Sequence, residues 1–584
     1  MSRNDRQSFL CVGIVALSVV LVAAPPAAGQ CLGDTTGATC LCVDGTSNPT
    51  ICAKWTGQGE PDHPDDFTVD FECTGCSTQP DIELSTGGTS AAPLTWTLWS
   101  FDDADAYDLG NIGDITIDAT TLSDDFDVKI ERPGPGPGAW DVKSINLHDE
   151  TNWTGHSNIT GGAIWGNLTG DLTVIEDTSF DGGSVDLTIY GSVEGTLTIE
   201  NLVQLTVGSV AAGGVINIET IDGTPGVTSL VVLDDVAGAI NITTFDGGQG
   251  NSPAEITVGG DVTGTGTIDI VSMVGDRIAF LPPPGPPELQ IDGSVSGTLS
   301  FGTVVNADIS IGDSADMTNG NLSGDIVVTG TLSITHVQVW GDVTSSGRIT
   351  VADMDSGGYR GWYSGILLNG AHGDMGGRLV LDNGIPFEQE VEISGLLTST
   401  GFIDLKGKDV VGRLEIEHGG SGAIVNGGII TATGTPGEGS CFYVDCEVIL
   451  GSAVGDTFSG QASFTGVASD GVIIAQDVDG SIKFVGDMAG TFAINGTLGG
   501  TGNVYITGNL TSTGTLSVGE DVTGDIDITG DHDGTIAVTG SLTRPGRIMV
   551  NGGADGDIII GELNGALTLI TMLAVEGWVR PRAS

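Results

Sequence analysis

Nine residues in the first half of the chain, Gly191-Ser-Val193-Glu-Gly195-Thr-Leu197-Thr-Ile199, contain the pattern that decides the fold. Two glycines bracket one branched residue, and a short segment follows in which apolar and polar residues alternate. Alternation with a period of two places Leu197 and Ile199 on one face of a β-strand and the threonines on the other. The phrase therefore predicts a short strand with one buried face, entered through a tight glycine turn.

This phrase recurs from about residue 111 onward, for example over Gly166–Val174 and Gly293–Phe301. A strand of four or five residues cannot bury its apolar face alone, whereas stacked copies form one continuous core. Two phrases of about ten residues predict a coil of roughly 20 residues, and thus up to about 23 coils. The C-terminal copies are the most regular, with the apolar pairs Leu516/Val518, Ile526/Ile528, Ile536/Val538, Ile548/Val550, Ile558/Ile560 and Leu567/Leu569.

The predicted fold class is all-β, a long parallel β-helix or solenoid whose hydrogen bonds run between coils. A string of antiparallel sandwiches or a propeller is the alternative, because these folds also use short strands and glycine-rich turns. The recurring short phrase and the shortage of long alternating strands favour the solenoid.

The Gly-x-Val-x-Gly-x-Ile phrase resembles the repeats of secreted bacterial glycine-rich right-handed β-helix proteins, and it is similar to the bactofilin-type polymer-forming repeat. The resemblance implies a right-handed helix. Bactofilins are cytoplasmic filament formers with one short repeat domain. This chain has an export signal, cysteines and many more repeats, so a cytoskeletal role does not carry over.

The N-terminus has the layout of a secretory signal peptide. Arg3 and Arg6 precede an apolar run over residues 9–24, and small residues follow before Gln30. The run is shorter than the ~20 residues that a membrane-spanning helix needs. We therefore expect a secreted or cell-surface product that has no transmembrane span.

Cysteine usage points to an oxidising compartment. After removal of Cys11 with the signal peptide, an even number of cysteines remains, which predicts disulfides of undetermined pairing. Zinc at the Cys40/Cys42 and Cys73/Cys76 pairs is the lesser alternative. The disulfide candidates are Cys31, Cys40, Cys42, Cys52, Cys73, Cys76, Cys441 and Cys446.

The domain organisation follows from these signals. The Cys-rich head is interpreted as a cap, because an uncovered first coil would pair with another chain and make self-association possible. Pro/Gly-rich breaks are interpreted as loops that leave the coils. The predicted divisions are the signal peptide (1–29), the N-terminal cap (30–110), the solenoid (111–570) with insertions near 131–140, 281–290 and 352–382, and a C-terminal tail (571–584).

The charge is strongly one-sided, with 76 acidic against 18 basic residues and a net charge of −58. Such a surface repels phosphate backbones and anionic lipid, so nucleic-acid binding and electrostatic membrane docking are excluded. Carboxylates suit Ca²⁺, so calcium is a possible cofactor. Gly552–Ile560 resembles one calcium-binding nonapeptide. It has Asp555 in place of a glycine and no tandem copies, so no calcium roll is predicted.

The segment 352–382 carries the candidate site, because the repeat lapses there. Aromatic rings stack on sugars, and paired carboxylates provide acid and base for glycoside cleavage. The alternative is a solvated loop inserted between coils. The candidate carbohydrate-contacting residues are Asp353, Asp355, Tyr359, Arg360, Trp362, Tyr363, His372 and Asp374, with Arg378 beside them.

Three functions remain open. The leading hypothesis is a secreted, non-enzymatic β-solenoid that acts as a structural, adhesion or surface-matrix component. The enzyme alternative is an extracellular polysaccharide lyase or glycoside hydrolase of the β-helix type, although no catalytic residue is assigned. The third alternative is a carbohydrate-binding surface protein.

Overall fold

The structure is a computed structural model, and every element among the residues it describes is a β-strand. No helix in this part of the chain has the length and apolar character to cross a membrane. Before residue 167, only the backbone of eight strands is described. From there on, the described residues are 167–168, 172–174, 185–222, 229–247, 254–275, 288–312, 320–355, 365–368, 373–386, 389–430 and 447–569.

Most of the described strands are short, and they follow one another between Cys52 and Leu569. The first part contains β1 (Cys52–Trp55), β2 (Phe67–Glu72), β3 (Ile82–Ser85), β4 (Leu94–Ser100), β5 (Ile112–Asp118), β6 (Phe126–Glu131), β7 (Val142–His148), β8 (Ile159–Ile164), β9 (Leu172–Val174), β10 (Val185–Val193), β11 (Thr196–Val210), β12 (Val215–Asp222), β13 (Ser229–Val232), β14 (Ala239–Asp246) and β15 (Glu255–Val258).

The middle part contains β16 (Thr267–Val274), β17 (Glu288–Ile291), β18 (Thr298–Val305), β19 (Asp308–Ile311), β20 (Asp325–Ser333), β21 (His336–Val339), β22 (Arg348–Asp355), β23 (Gly365–Leu368), β24 (Arg378–Leu381), β25 (Glu390–Ile393), β26 (Phe402–Val410), β27 (Arg413–Ile416), β28 (Gly419–Gly420) and β29 (Ala423–Ile430).

The last part contains β30 (Val448–Leu450), β31 (Thr457–Phe458), β32 (Gln461–Val467), β33 (Val472–Ala475), β34 (Asp477–Val478), β35 (Ser481–Phe484), β36 (Thr491–Ile494), β37 (Asn503–Ile506), β38 (Thr515–Val518), β39 (Asp525–Ile528), β40 (Thr535–Leu542), β41 (Arg547–Val550), β42 (Asp557–Leu563) and β43 (Ala566–Leu569).

The chain alternates between two parallel ladders, here called sheet 1 and sheet 2, which confirms the predicted parallel solenoid. Each strand pairs with its counterpart one coil later, as β14 does with β16 and β15 with β17. Sheet 1 contains β12, β14, β16, β18, β20, β22, β24, β26, β29, β32, β35, β37, β39, β41 and β43. Sheet 2 contains β13, β15, β17, β19, β21, β23, β25, β27, β30, β33, β36, β38, β40 and β42.

The parallel ladder includes strands on both sides of residue 110. Strand β2 pairs in parallel with β4 and β4 with β6, while β3 pairs with β5. At the start, β1 runs antiparallel to β2. The predicted disulfides and their capping role stay predictions, since every cysteine side chain lies outside those that the structure describes.

Coil length varies along the solenoid. Leu516 pairs with Ile536, which makes a coil of 20 residues, whereas Ile240 pairs with Ile268 and closes a coil of 28. Sheet 1 continues toward the N-terminus through β11, β9, β7 and β5, which gives this ladder nineteen described strands between Ile112 and Leu569. This number is below the upper estimate of 23 coils, because loops lengthen the central coils. At about 4.8 Å per coil, this stack is roughly 85 Å long.

Alternate residues of each strand form the core. In β14, Ile240 and Ile242 are buried, while Asn241 between them is partly exposed. The single branched residue of each phrase forms a further side of the coil, where Val236 bridges to Val262 and Val262 to Val295. The sequence pattern thus places two strand residues and one bridging residue of each phrase in one continuous core.

A ladder of Asp and Asn side chains, here called the corner ladder, links the coils just before the bridging residue. The Asp261 carboxylate accepts the backbone N–H of Ser294 at 2.7 Å, and Asp235 accepts that of Asp261 at 2.8 Å. The same bond joins Asn321 to Asp342, Asp342 to Asp374, Asp374 to Leu396, Asp477 to Thr497, Asp487 to Asn509, Asn509 to Asp531, Asp521 to Ser541 and Asp531 to Gly553. Part of the acidity therefore serves backbone pairing.

Glycine after the bridging residue permits the coils to approach one another. A Cβ atom on Gly324 would lie 1.9 Å from the carbonyl oxygen of Gly297 in the preceding coil. That distance is far below van der Waals contact, so only glycine fits without moving the backbone. The second glycine of the phrase is therefore required by coil spacing.

The corner ladder predicts a local effect at Asp261. We expect Asp261→Ala to cost about 1 kcal/mol locally, because the Ser294 amide loses its acceptor, and to speed exchange of that amide roughly fivefold. In Asp261→Asn, which keeps an acceptor oxygen, the exchange rate of the Ser294 amide should stay near that of the wild type. The same holds for Asp234→Ala, because Asp234 is not part of the corner ladder. Hydrogen exchange measures this, and equal effects of all three changes would contradict the ladder's role.

One titratable group lies in the core near the C-terminal end. His532 replaces an apolar bridging residue between Leu510 and Ala554 and is fully buried. Neither ring nitrogen has a hydrogen-bond partner among the described residues. Burial lowers the pKa of His532 below its ordinary value, although Asp533 and Asp557 oppose that shift. The ring is therefore held neutral.

This histidine predicts a pH dependence of the C-terminal coils. Below about pH 6.5, the histidine is protonated in the unfolded chain but stays neutral in the folded chain. The stability of the folded state therefore decreases as the pH is lowered, until the lower pKa of the folded state is reached. We expect His532→Leu to stabilise β40–β42 by about 1 kcal/mol or more and to abolish this pH dependence. Protection factors at pH 7.5 and 5.5 measure it, with the exposed His418→Gln as control; an unchanged dependence in His532→Leu would rule this out.

Candidate functional site

The structure places four of the nine sequence-predicted site residues. Asp353 and Asp355 lie at the end of β22, and Asp374 precedes the bridging residue Met375. Arg378 begins β24. The remaining five lie outside the described residues: Tyr359, Arg360, Trp362, Tyr363 and His372.

Three of these four residues have different contact partners. Asp374 belongs to the corner ladder, where its carboxylate accepts the N–H of Leu396 at 2.8 Å. The Asp353 carboxylate accepts a hydrogen bond of 2.6 Å from Asn383 Nδ2. Arg378 instead joins a group on sheet 1 that the sequence pattern did not predict.

That group is a cluster of positive side chains in a very acidic chain. Arg348, Arg378, Lys406 and Lys408, with the ring of Phe402, are here called the cationic platform. Arg348, Arg378 and Phe402 occupy the same register position on the consecutive strands β22, β24 and β26 of sheet 1. All four cations are exposed.

A buried carboxylate positions two of these cations. Asp404 is 3% exposed, and its Oδ2 lies 3.1 Å from Arg378 Nη2 and 3.1 Å from Lys406 Nζ. Its Oδ1 also accepts the backbone N–H of Lys406 at 3.0 Å. The side chains of Arg378 and Lys406 remain 44% and 42% exposed, so one fixed anion orients two accessible cations.

An aromatic ring supports the guanidinium. The Cζ atom of Arg378 lies 5.1 Å from the centroid of the Phe402 ring, within the range of a cation–π contact. The Phe402 side chain is itself partly exposed. The platform thus presents a guanidinium over an aromatic ring that is itself partly exposed.

The backbone of β26 is distorted where it presents the lysines. Lys406 has φ +54° and Gly407 has φ +74°, both in the left-handed region, and the register with β29 shifts on either side of Lys408. For a lysine this conformation costs about 1–3 kcal/mol. Gly384, at φ +76°, gives room to Lys408, since a Cβ there would lie 2.8 Å from the Lys408 Cβ.

A second charged group lies on sheet 2 of the same coils. Carboxylate oxygens of Glu390, Glu392 and Glu415 lie within 4.8 Å of one another. Arg413 Nη1 lies 2.7 Å from Glu390 Oε1, and Arg413 Nη2 contacts the Glu415 carboxylate. Register pairs Glu390 with Arg413 and Glu392 with Glu415.

Two members of this carboxylate cluster, Glu392 and Glu415, have a pKa above the ordinary value for glutamate. Burial raises the pKa of Glu392, the charges of Glu390 and Glu417 raise it further, and Arg413 opposes them. Burial also raises the pKa of Glu415, again against Arg413. Carboxylate oxygens suit a hard cation such as Ca²⁺. The guanidinium of Arg413, however, already contacts two of the three carboxylates. Calcium binding stays a prediction.

The platform was missed because its residues are spread over three strands. The interval 352–382 includes Arg378 but ends before Phe402, Lys406 and Lys408. A usable signal was present: basic residues are rare in this chain, and several occur between 348 and 413. Only the coil register shows which of them share a face.

The carboxylate cluster predicts a pH effect at Glu392. Because its pKa is raised in the folded state, its ionisation destabilises the local coils as pH rises above about 4.5. We expect Glu392→Gln to slow amide exchange in β25 and β27 at pH 7 and to have no effect at pH 3.5. The exposed Glu520→Gln is the matched control. Faster exchange in Glu392→Gln at pH 7 would show that the ionised group is stabilising.

Comparisons with known proteins add no family. No family model, curated protein or solved structure matches this chain. Function is therefore argued from the fold and from the two charged groups.

Proposed function

We propose that this chain is a secreted, non-enzymatic β-solenoid that serves as a structural or adhesive component of a cell surface or extracellular matrix. The observation that carries the proposal is the unbroken parallel stacking of coils, joined by the corner ladder and by close glycine contacts. Such a stack resists bending and holds its outward faces at a fixed spacing. The signal-peptide pattern supports export.

The acidic outward surface supports the same role. A net charge of −58 keeps long rods soluble and apart at moderate salt. Side chains that would be candidates for cleavage chemistry are engaged otherwise: Asp374 bonds a backbone amide and Asp353 bonds Asn383. A scaffold role agrees with this distribution better than the lyase or hydrolase alternative does.

Carbohydrate binding is a second candidate function, and the cationic platform favours it. Arg378 and Phe402 together present the donor and the ring face that sugar recognition uses. A scaffold with such a site would adhere to a polysaccharide rather than cleave it.

The scaffold proposal predicts an elongated particle. Small-angle scattering from the mature chain should give a maximum dimension of at least about 90 Å, because nearly twenty coils stack at about 4.8 Å each. A compact globular protein with the same number of residues would have a radius of gyration near 24 Å and a maximum dimension of about 60 Å. Profiles in 0.15 M and 1 M salt should coincide, which would exclude charge repulsion as the cause. An isometric profile would refute the proposal.

A further inference from the structure

We infer that the cationic platform binds an extended polysaccharide that carries carboxylate groups. The inference deepens the carbohydrate-binding form of the proposed function by naming the ligand class and the residues that bind it. It rests on the register that aligns Arg348, Arg378 and Phe402, on the Asp404 carboxylate that links Arg378 to Lys406, and on the exposed Lys408 two residues farther along β26.

Charge supplies the first argument. Two of the platform cations, Arg348 and Lys408, form no ion pair among the described residues, although acidic residues outnumber basic ones about fourfold. Arg348 donates a hydrogen bond from Nε to Thr350 Oγ1, at 3.0 Å. Single exposed cations without an ion pair among the described residues also occur elsewhere, at Lys483 and Arg544. At the platform, two such cations accompany Arg378 and Lys406, and this concentration of positive charge points to an anionic ligand.

The geometry of Arg378 supplies the second argument. Its contact with Asp404 uses Nη2, and a guanidinium has five N–H donors in a planar fork that matches a carboxylate. The guanidinium lies over the ring of Phe402, and the part of this partly exposed ring that it leaves uncovered offers an apolar surface to the C–H face of a sugar. A ligand with carboxylates and apolar ring faces satisfies both groups at once.

The coil spacing supplies the third argument. Arg348 and Arg378 occupy consecutive strands of one parallel sheet, about 4.8 Å apart, and β26 adds Lys406 and Lys408 in the next coil. The left-handed conformation at Lys406 and the register shifts around Lys408 distort β26 at this point, and both lysines are exposed there. A polymer lying along the solenoid axis would meet the cations in succession.

Other polyanions fit less well. A nucleic acid carries a denser charge, and a second copy of this chain carries −58, so both are repelled more strongly by the surrounding acid. A carboxylated glycan has fewer charges per length. At physiological salt, acid beyond about 8 Å is largely screened from it.

The test is binding of polygalacturonate to the mature chain in 0.15 M salt, with dextran as the neutral probe and polyphosphate as the sugar-free polyanion. We expect the Arg378→Gln/Lys408→Gln double variant to bind polygalacturonate at least tenfold more weakly. The control is Arg544→Gln/Arg547→Gln, which removes the same charge from distant coils and should change affinity less than twofold. Phe402→Leu should weaken binding of polygalacturonate but not of polyphosphate.

Lys408→Gln alone keeps the experiment decisive if the double variant is unstable, because Lys408 is exposed and forms no ion pair in the described part of the chain. It should weaken binding severalfold. Absence of polygalacturonate binding by the wild type, equal loss in the control, or equal binding of dextran would overturn the inference. Light scattering that shows self-association without glycan, abolished by Lys408→Gln, would assign the platform to a second copy instead. None of these outcomes alters the rod-shaped scattering, so the two proposals fail separately.

Discussion

Parallel in-register pairing between coils is the constraint on which the rest of the structure depends. Each residue lies beside its counterpart in the coils before and after it, about 4.8 Å away. Whatever occupies a position must therefore tolerate a stack of similar groups. Branched apolar residues tolerate it by packing, as Ile240 does against Ile268, and the second glycine of each phrase does so by having no side chain at all.

Stacking is least favourable for acidic residues, because like charges in a ladder repel one another. In the corner ladder, each carboxylate is stabilised by a backbone N–H that the next coil donates to it. On sheet 2, Glu255, Glu288 and Asp308 are aligned, and of these three only Asp308 accepts a backbone N–H from the next coil within the described part of the chain, that of His336 at 3.3 Å. There, burial raises the pKa of Glu288 and the charges of Asp308 and Glu255 raise it further, while His336 Nδ1 lies 3.0 Å from Asp308 Oδ1. The two ladders show that the position of an acidic side chain decides how strongly its charge destabilises the stack of coils.

The sequence predicted the fold well, because its signal is local and repeated: the alternation Leu197-Thr-Ile199 identifies a strand in isolation, and its recurrence identifies the stack. The same pattern also contained the corner ladder, as Asp or Asn before the bridging residue, but side-chain acceptors of backbone bonds are not visible in hydropathy. The site was less predictable. Arg348, Arg378 and Lys408 are separated by tens of residues, and variable coil lengths hide their common face. Asp353 and Asp374, which are close in sequence, make different coil-to-coil contacts, and their role in contacting carbohydrate stays a prediction.

The corner ladder also has a direction, since every side chain accepts from the coil that follows and none needs the coil beyond. Removing or duplicating one complete coil would leave each remaining acceptor facing an equivalent donor, as Asn509 faces Asp531 and Asp531 faces Gly553. The length of this molecule is therefore an adjustable quantity. Unequal recombination between repeats can lengthen or shorten the rod in steps of one coil without redesigning the corner ladder.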